Sequence, residues 1–122
     1  MNGSQYSSVF NKLLKDPNGR QATMIYTRPN MHFDAIEGGK RDFMCTNAVN
    51  YYLRDGELNA VVQMRSNDIV YGYNNDYAWQ DYLLKTLSFS LYEKGIDNEP
   101  GSIFWNAGSL HMYDRHFKFL EE

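Results

Sequence analysis

Residues 43–64, FMCTNAVNYYLRDGELNAVVQM, decide the fold. Two apolar and partly alternating runs, Phe43 to Leu53 and Leu58 to Met64, flank Arg54-Asp55-Gly56-Glu57. Asp-Gly between such runs is a strong short-range turn signal, so the stretch reads as a β-hairpin. Upstream, Ala22 to Thr27 is β-prone and runs into Arg28-Pro29, whose proline holds the preceding residue extended; a strand and then a loop are expected. Further upstream, Tyr6, Val9, Phe10, Leu13 and Leu14 recur at helical spacing between a capping Ser4 and the stop Asp16-Pro17-Asn18-Gly19, which predicts a short amphipathic helix over Gln5 to Lys15. Downstream, Trp79, Leu83, Leu87 and Leu91 fall one helical turn apart between Asn75 and Lys94, ahead of Gly95, and mark a central buried helix. Ser102 to Tyr113, bounded by Pro100-Gly101, reads as a last long strand. The sum is an α+β layer of sheet against helix, expected as one domain over residues 1–122.

Composition narrows the function. A chain of 122 residues with 43% hydrophobic residues, 10 Tyr, 7 Phe and 2 Trp can bury a real core and is not a disordered segment. A net charge of −3 argues against general nucleic-acid binding, which needs surplus Lys and Arg to displace counterions from the phosphate backbone. The single cysteine, Cys45, cannot form an internal disulfide, and the polar start Met1 to Tyr6 lacks the apolar core of a signal peptide. A cytoplasmic protein with no membrane segment is expected.

Few residues can carry chemistry. Cys45 opens a strand beside Lys40 and Arg41; it is either a small core residue or a nucleophile whose thiolate nearby positive charge favours. Arg65 and Ser66 close the second hairpin strand ahead of Asp68, either as a solvated strand end or as a phosphate clamp of forked guanidinium and hydroxyl. Gly72, Asn74, Asn75 and Asp76 precede the central helix, where an ordinary cap is the plain alternative. His111 and Tyr113, two apart on a strand, share a face and can both hydrogen-bond a sugar hydroxyl, as a structural His and a core Tyr equally would.

In order and spacing, the chain resembles the thymidylate synthase superfamily from about Gln5 to Phe117: Asp16-Pro17-Asn18-Gly19-Arg20, Cys45, Arg65-Ser66-Asn67-Asp68, Gly72 and His111-Met112-Tyr113. More narrowly, Met24-Ile25-Tyr26-Thr27-Arg28-Pro29, Asp42-Phe43-Met44-Cys45-Thr46-Asn47, Asn75-Asp76-Tyr77-Ala78-Trp79-Gln80 and Gly108-Ser109-Leu110-His111 resemble bacteriophage deoxycytidylate hydroxymethylases. The resemblance implies a thymidylate synthase-like mixed sheet on a central helix, shortened at the N-terminus. It implies Cys45 as the nucleophile at pyrimidine C6, Arg65 and Ser66 on the 5′-phosphate, and His111 with Tyr113 on the deoxyribose hydroxyl. Asp68 would face the pterin and the ring oxygen, and Gly72 would line the nucleotide. Arg20 would cross over from a partner subunit to the phosphate, which makes the protein a homodimer. Gln21 stands where many members carry a second arginine. Asp76 replaces the asparagine with which thymidylate synthases pair uracil: a carboxyl accepts from cytosine N4, and a proton on the carboxyl or on N3 completes a second bond.

The implied reaction is covalent. Cys45 adds to C6 of dCMP, C5 takes the one-carbon unit of 5,10-methylenetetrahydrofolate, and water adds to the exocyclic methylene, where a synthase would deliver hydride. No metal is called for. Relatives carry a long N-terminal segment with an acidic residue and folate-holding tryptophans, and no counterpart precedes Gln5. Three readings follow: an enzyme completed by a separately encoded N-terminal segment or using a reduced site; a non-catalytic nucleotide-binding module; and a CMP hydroxymethylase or synthase-like activity, since ribose choice is not fixed by His111 and Tyr113. If phage-encoded, the protein would act in the host cytoplasm.

Overall fold

The computed structural model describes residues 4–27, 45–70, 72–112 and 114. The hairpin is its centre. Strands β2 (Thr46–Arg54) and β3 (Glu57–Met64) pair antiparallel around Asp55 and Gly56, whose φ values of 52° and 77° are the two positive angles that a tight two-residue turn demands. Every second residue of each strand is buried: Val49, Tyr51 and Leu53 on β2, and Leu58, Ala60, Val62 and Met64 on β3. The strict period of two puts one face on the core.

β1 (Thr23–Ile25) adds antiparallel to β2, and β5 (Glu99–Ala107) adds parallel to β3, for a mixed four-stranded sheet in the order β1-β2-β3-β5. A parallel neighbour requires a crossover. Here it contains the short strand β4 (Asn67–Asp68) and the 22-residue helix α2 (Gly72–Glu93). The last strand, β6 (Leu110–His111), pairs parallel with β4 in a separate two-stranded ladder. Helix α1 (Gln5–Lys15) starts where Ser4 Oγ accepts from the Ser7 amide at 3.2 Å, and it buries Val9 and Leu13 with the core side chains of the sheet. Leu84, Leu87 and Leu91 of α2 complete that core, and α2 ends at Gly95 (φ 99°), beyond which the Ile96 amide returns to Leu91 O at 3.0 Å. The α+β layer of mixed sheet and helix is thus as expected.

Three details differ from the sequence expectation. α2 begins at Gly72 instead of Asn75, so Asn74 and Asn75 lie inside it and do not cap it. The Asn74 side-chain Nδ2 donates back to Val70 O at 2.9 Å and ties the first turn to the preceding loop, a contact that local propensity does not reveal. The buried stripe of α2 runs through Gln80, Leu84, Leu87, Ser88 and Leu91, one position round from Trp79 and Leu83. Trp79 (52% exposed), Tyr82 (61%), Phe89 (62%) and Tyr92 (57%) form an aromatic outer face, so apolar residues on both sides blur the helical period. The expected final strand is two strands, interrupted at Gly108-Ser109 because the Gly108 amide turns in to Met64 O at 2.9 Å, where β3 ends. Tyr113 and the Arg28-Pro29 loop lie outside the described residues.

Leu87 is wholly buried at the middle of the helix–sheet contact. Leu87→Ala should lower unfolding free energy by about 2–5 kcal/mol in a chemical denaturation series, from lost transfer energy and the cavity left behind.

Candidate nucleotide site

The pairing of β2 with β3 shifts by one residue between Thr46 and Ala48, which leaves Asn47 as an extra residue on β2. The carbonyl of Asn47 accepts from the amides of both Tyr26 (3.0 Å) and Thr27 (3.3 Å), which locks the bulge to the end of β1. Without the bulge, Cys45 would lie level with Ser66; with it, Cys45 faces Arg65. The Arg65 amide donates to Cys45 O at 2.7 Å, and its guanidinium Nη2 lies 3.7 Å from Cys45 Sγ. An exposed thiol thus has a guanidinium directly against it. That cation comes from across the hairpin. The neighbours Lys40 and Arg41, expected to supply it, are outside the described residues.

Beyond Arg65 and Ser66 the chain passes directly into the small β4–β6 ladder. Asn67 N donates to Ser109 O and Ile69 N to His111 O, both at 2.8 Å, and Asp68 lies level with His111. Asp68 Oδ1 accepts from the Val70 amide at 3.2 Å, which turns the chain into α2. Gly72 opens that helix against the same groups: a methyl there would lie 3.4 Å from Asp68 Cβ, 3.5 Å from Asn67 Nδ2 and 3.9 Å from Asp76 Oδ2. Cys45, Arg65, Ser66, Asp68, Gly72, Asp76 and His111 therefore gather where β2, β3, β4, β6 and the start of α2 converge.

Asp76 sits in the second turn of α2, half-buried, and its Oδ2 accepts from Asn67 Nδ2 at 3.2 Å. Burial pushes its carboxyl pKa above the ordinary aspartate value, and the Asn67 hydrogen bond pulls in the opposite direction. Asn67 also accepts from Trp105 Nε1 at 3.1 Å, and Trp105 packs edge-on against Tyr73 with ring centroids 5.3 Å apart. Neither Asn67 nor Trp105 was singled out from sequence. The available signal was an amide, able to donate and accept at once, between residues read as functional. One turn beyond Asp76, the buried Gln80 donates to Tyr26 Oη at 3.5 Å while its Oε1 has no hydrogen-bond partner among the described residues.

Arg20 is not at this end. The Tyr51 amide donates to Ala22 O at 2.8 Å, so Arg20 lies toward the turn end of β2, while Cys45 is six strand residues in the other direction, roughly 20 Å at ~3.3 Å per residue. With Lys12, Lys15 and Asp16 it lines an open cavity of about 780 Å³ between the end of α1 and β1. Among the described residues no group of three or more His, Cys, Asp or Glu is placed to hold a metal ion, and no helix is long and apolar enough to cross a membrane.

The profile of the family described as thymidylate synthase matches residues 2–122. The deoxycytidylate 5-hydroxymethyltransferase of Enterobacteria phage T4 is 49% identical over 122 residues, which cover 98% of this chain and 50% of that protein. The deoxyuridylate hydroxymethyltransferase of Bacillus phage SP01 is 31% identical over 110 residues, 89% of this chain and 27% of that protein. Thermostable thymidylate synthase A from Bacillus subtilis superposes with a TM-score of 0.77 at 21% identity, over 97% of this chain and 39% of that one. The chain spans about half the length of the phage T4 relative. A family match along almost its whole length, a shared fold and a cysteine–arginine pair at the convergence of the strands lead to one conclusion: this chain belongs to the thymidylate synthase family.

Proposed function

We propose that the chain forms the nucleotide-binding and nucleophile-bearing part of a folate-dependent deoxycytidylate hydroxymethylase. The observation that carries this reading is the grouping of a cation-paired thiol with a partly buried carboxyl of raised pKa, joined through Arg65, Ser66 and Asn67. In it, Arg65 and Ser66 hold the 5′-phosphate, His111 with Tyr113 holds the sugar hydroxyl, and Asp76 receives the base. Cytosine offers an N4 donor and an N3 acceptor; a carboxyl that retains its proton more readily than usual supplies the matching acceptor and donor. Uracil reverses that pattern, and mismatched buried polar groups cost orders of magnitude in selectivity.

The steps then belong to the chain's own residues. Cys45 Sγ bonds to C6, which makes C5 nucleophilic toward the one-carbon unit; loss of the C5 proton then breaks the bond between that carbon and its carrier amine, the amine leaves as tetrahydrofolate, and water adds to the exocyclic methylene so formed as the Cys45–C6 bond breaks. Methylenetetrahydrofolate, when bound, supplies that unit. Asp68 fits a role toward its pterin in one respect: one carboxylate oxygen is engaged by Val70 N, and the second retains acceptor capacity.

Two features support a homodimer in this reading. Ile25 and Phe104, each 57% exposed, lie on the outer face of the sheet, and Arg20 is too far from Cys45 to reach a phosphate beside Arg65 of its own chain. A second copy laid on that face would bury both apolar side chains and bring Arg20 across.

Three measurements test these readings. Tritium should be released from C5-labelled dCMP by the chain and not by Cys45→Ala; dCMP binding without release would leave a nucleotide-binding module. Mixing Cys45→Ala with Arg20→Ala chains should restore release that neither gives alone, because one of the two sites in the mixed dimer is intact; no recovery would place Arg20 outside the site. Asp76→Asn should shift preference from dCMP toward dUMP, and its stability should depart from the parent with a definite sign. A raised pKa in the folded state contributes stability that is complete below the ordinary aspartate value of 3.8 and is lost as pH rises through the folded value. Thermal midpoints of the parent should therefore fall relative to Asp76→Asn as pH rises; a pH-independent difference would contradict this.

A further inference from the structure

Asn67 is 2% exposed and bridges two groups of different character. The indole N–H of Trp105 can only donate, so it must meet the amide oxygen, and the NH₂ is thereby directed at Asp76. Neither end of the bridge is loose. Trp105 lies level with Val62 in the β3–β5 register and rests edge-on against Tyr73, while the Asn67 backbone is tied to Ser109 and stands opposite Leu110. The main sheet thus fixes which way an amide points at the start of α2.

A carboxyl by itself has no such direction. In its protonated form either oxygen can hold the proton, so it can show a base an acceptor beside a donor, or the reverse. The first pattern fits cytosine and the second fits uracil. A donor fixed on one oxygen removes this ambiguity, because a carbonyl-type oxygen accepts the N–H better than a hydroxyl oxygen whose own proton competes for the space.

We infer that Asn67 is a positioning residue for base choice: by donating to Oδ2 of Asp76 it keeps that oxygen an acceptor, assigns the proton to Oδ1, and commits the carboxyl to the cytosine pattern. Oδ2 retains a second lone pair for the N4 amino group, and Oδ1–H meets N3. No bond to the nucleotide comes from Asn67 itself. The inference rests on Asp76 being the base-contacting group and adds why an aspartate there rejects uracil and does not accept both bases.

Dissociation constants of dCMP and dUMP, measured by calorimetry on the full chain, Asn67→Leu and Trp105→Phe, test it. In Asn67→Leu the ratio of dCMP to dUMP affinity should fall about tenfold, the worth of one modest hydrogen bond, with dUMP gaining in absolute affinity. Trp105→Phe, which leaves the amide in place and frees it to turn over, should move the ratio in the same direction by less. Should Asn67→Leu fail to fold, the Trp105→Phe ratio decides. A folded variant in which both affinities drop together at an unchanged ratio would reduce Asn67 to packing and overturn the inference. A parent chain with no preference for dCMP would instead overturn the role of Asp76, and the inference with it.

Discussion

One extra residue on one strand governs the site. The bulge at Asn47 offsets β2 by a single position as it leaves the hairpin, so Cys45 meets Arg65 and not Ser66. A one-residue change of pairing also turns every later side chain to the opposite face of a strand. The sulfur–guanidinium contact follows from that offset. It is secured at no single point: Tyr26 and Thr27 both donate to the Asn47 carbonyl, so the end of β1 holds the bulge that places the thiol.

Much of the scaffold was legible. The Asp-Gly pair fixed the hairpin because two consecutive positive φ angles admit few residue types, and the observed angles at Asp55 and Gly56 are of that kind. The first helix was readable to the residue, since Ser4 and Asp16-Pro17 are explicit start and stop signals and its apolar positions lie on one side. The second helix was harder for a physical reason. Its outer face carries Trp79, Tyr82, Phe89 and Tyr92, so the apolar period that usually marks the buried side is present on two sides; Leu87 and Leu91 were read correctly, whereas Trp79 lies on the outer face.

Candidate site residues could be named from the sequence, but their contacts could not. Cys45, Arg65, Asp68, Asp76 and His111 stand far apart in the chain, and only the hairpin register and the β4–β6 pairing bring them to one end. A cation beside Cys45 was sought among its sequence neighbours Lys40 and Arg41, which lie outside the described residues, and Arg65 supplies one from the opposite strand. Asn67 went unnoticed because an amide next to a charged pair resembles a turn residue; its two partners, Asp76 and Trp105, lie 9 and 38 positions away. Roles for these residues rest on chemistry and on resemblance together, and the family match along residues 2–122 makes the common fold secure.

The division of the strands into a four-stranded sheet and a two-residue ladder has a consequence for how the molecule opens. Cooperative unfolding units follow dense apolar contact, and the large sheet shares its core with both helices, whereas β4 and β6 are each two residues long and pair in that sheet only with each other. The amides of Asn67 and Ile69 are closed by the carbonyls of Ser109 and His111, while the Asn67 side chain holds β4 to Trp105 of β5 and to Asp76 of α2. Exchange at those two amides would report β6 parting from β4 separately from the large sheet, and a nucleotide bound there would raise their protection.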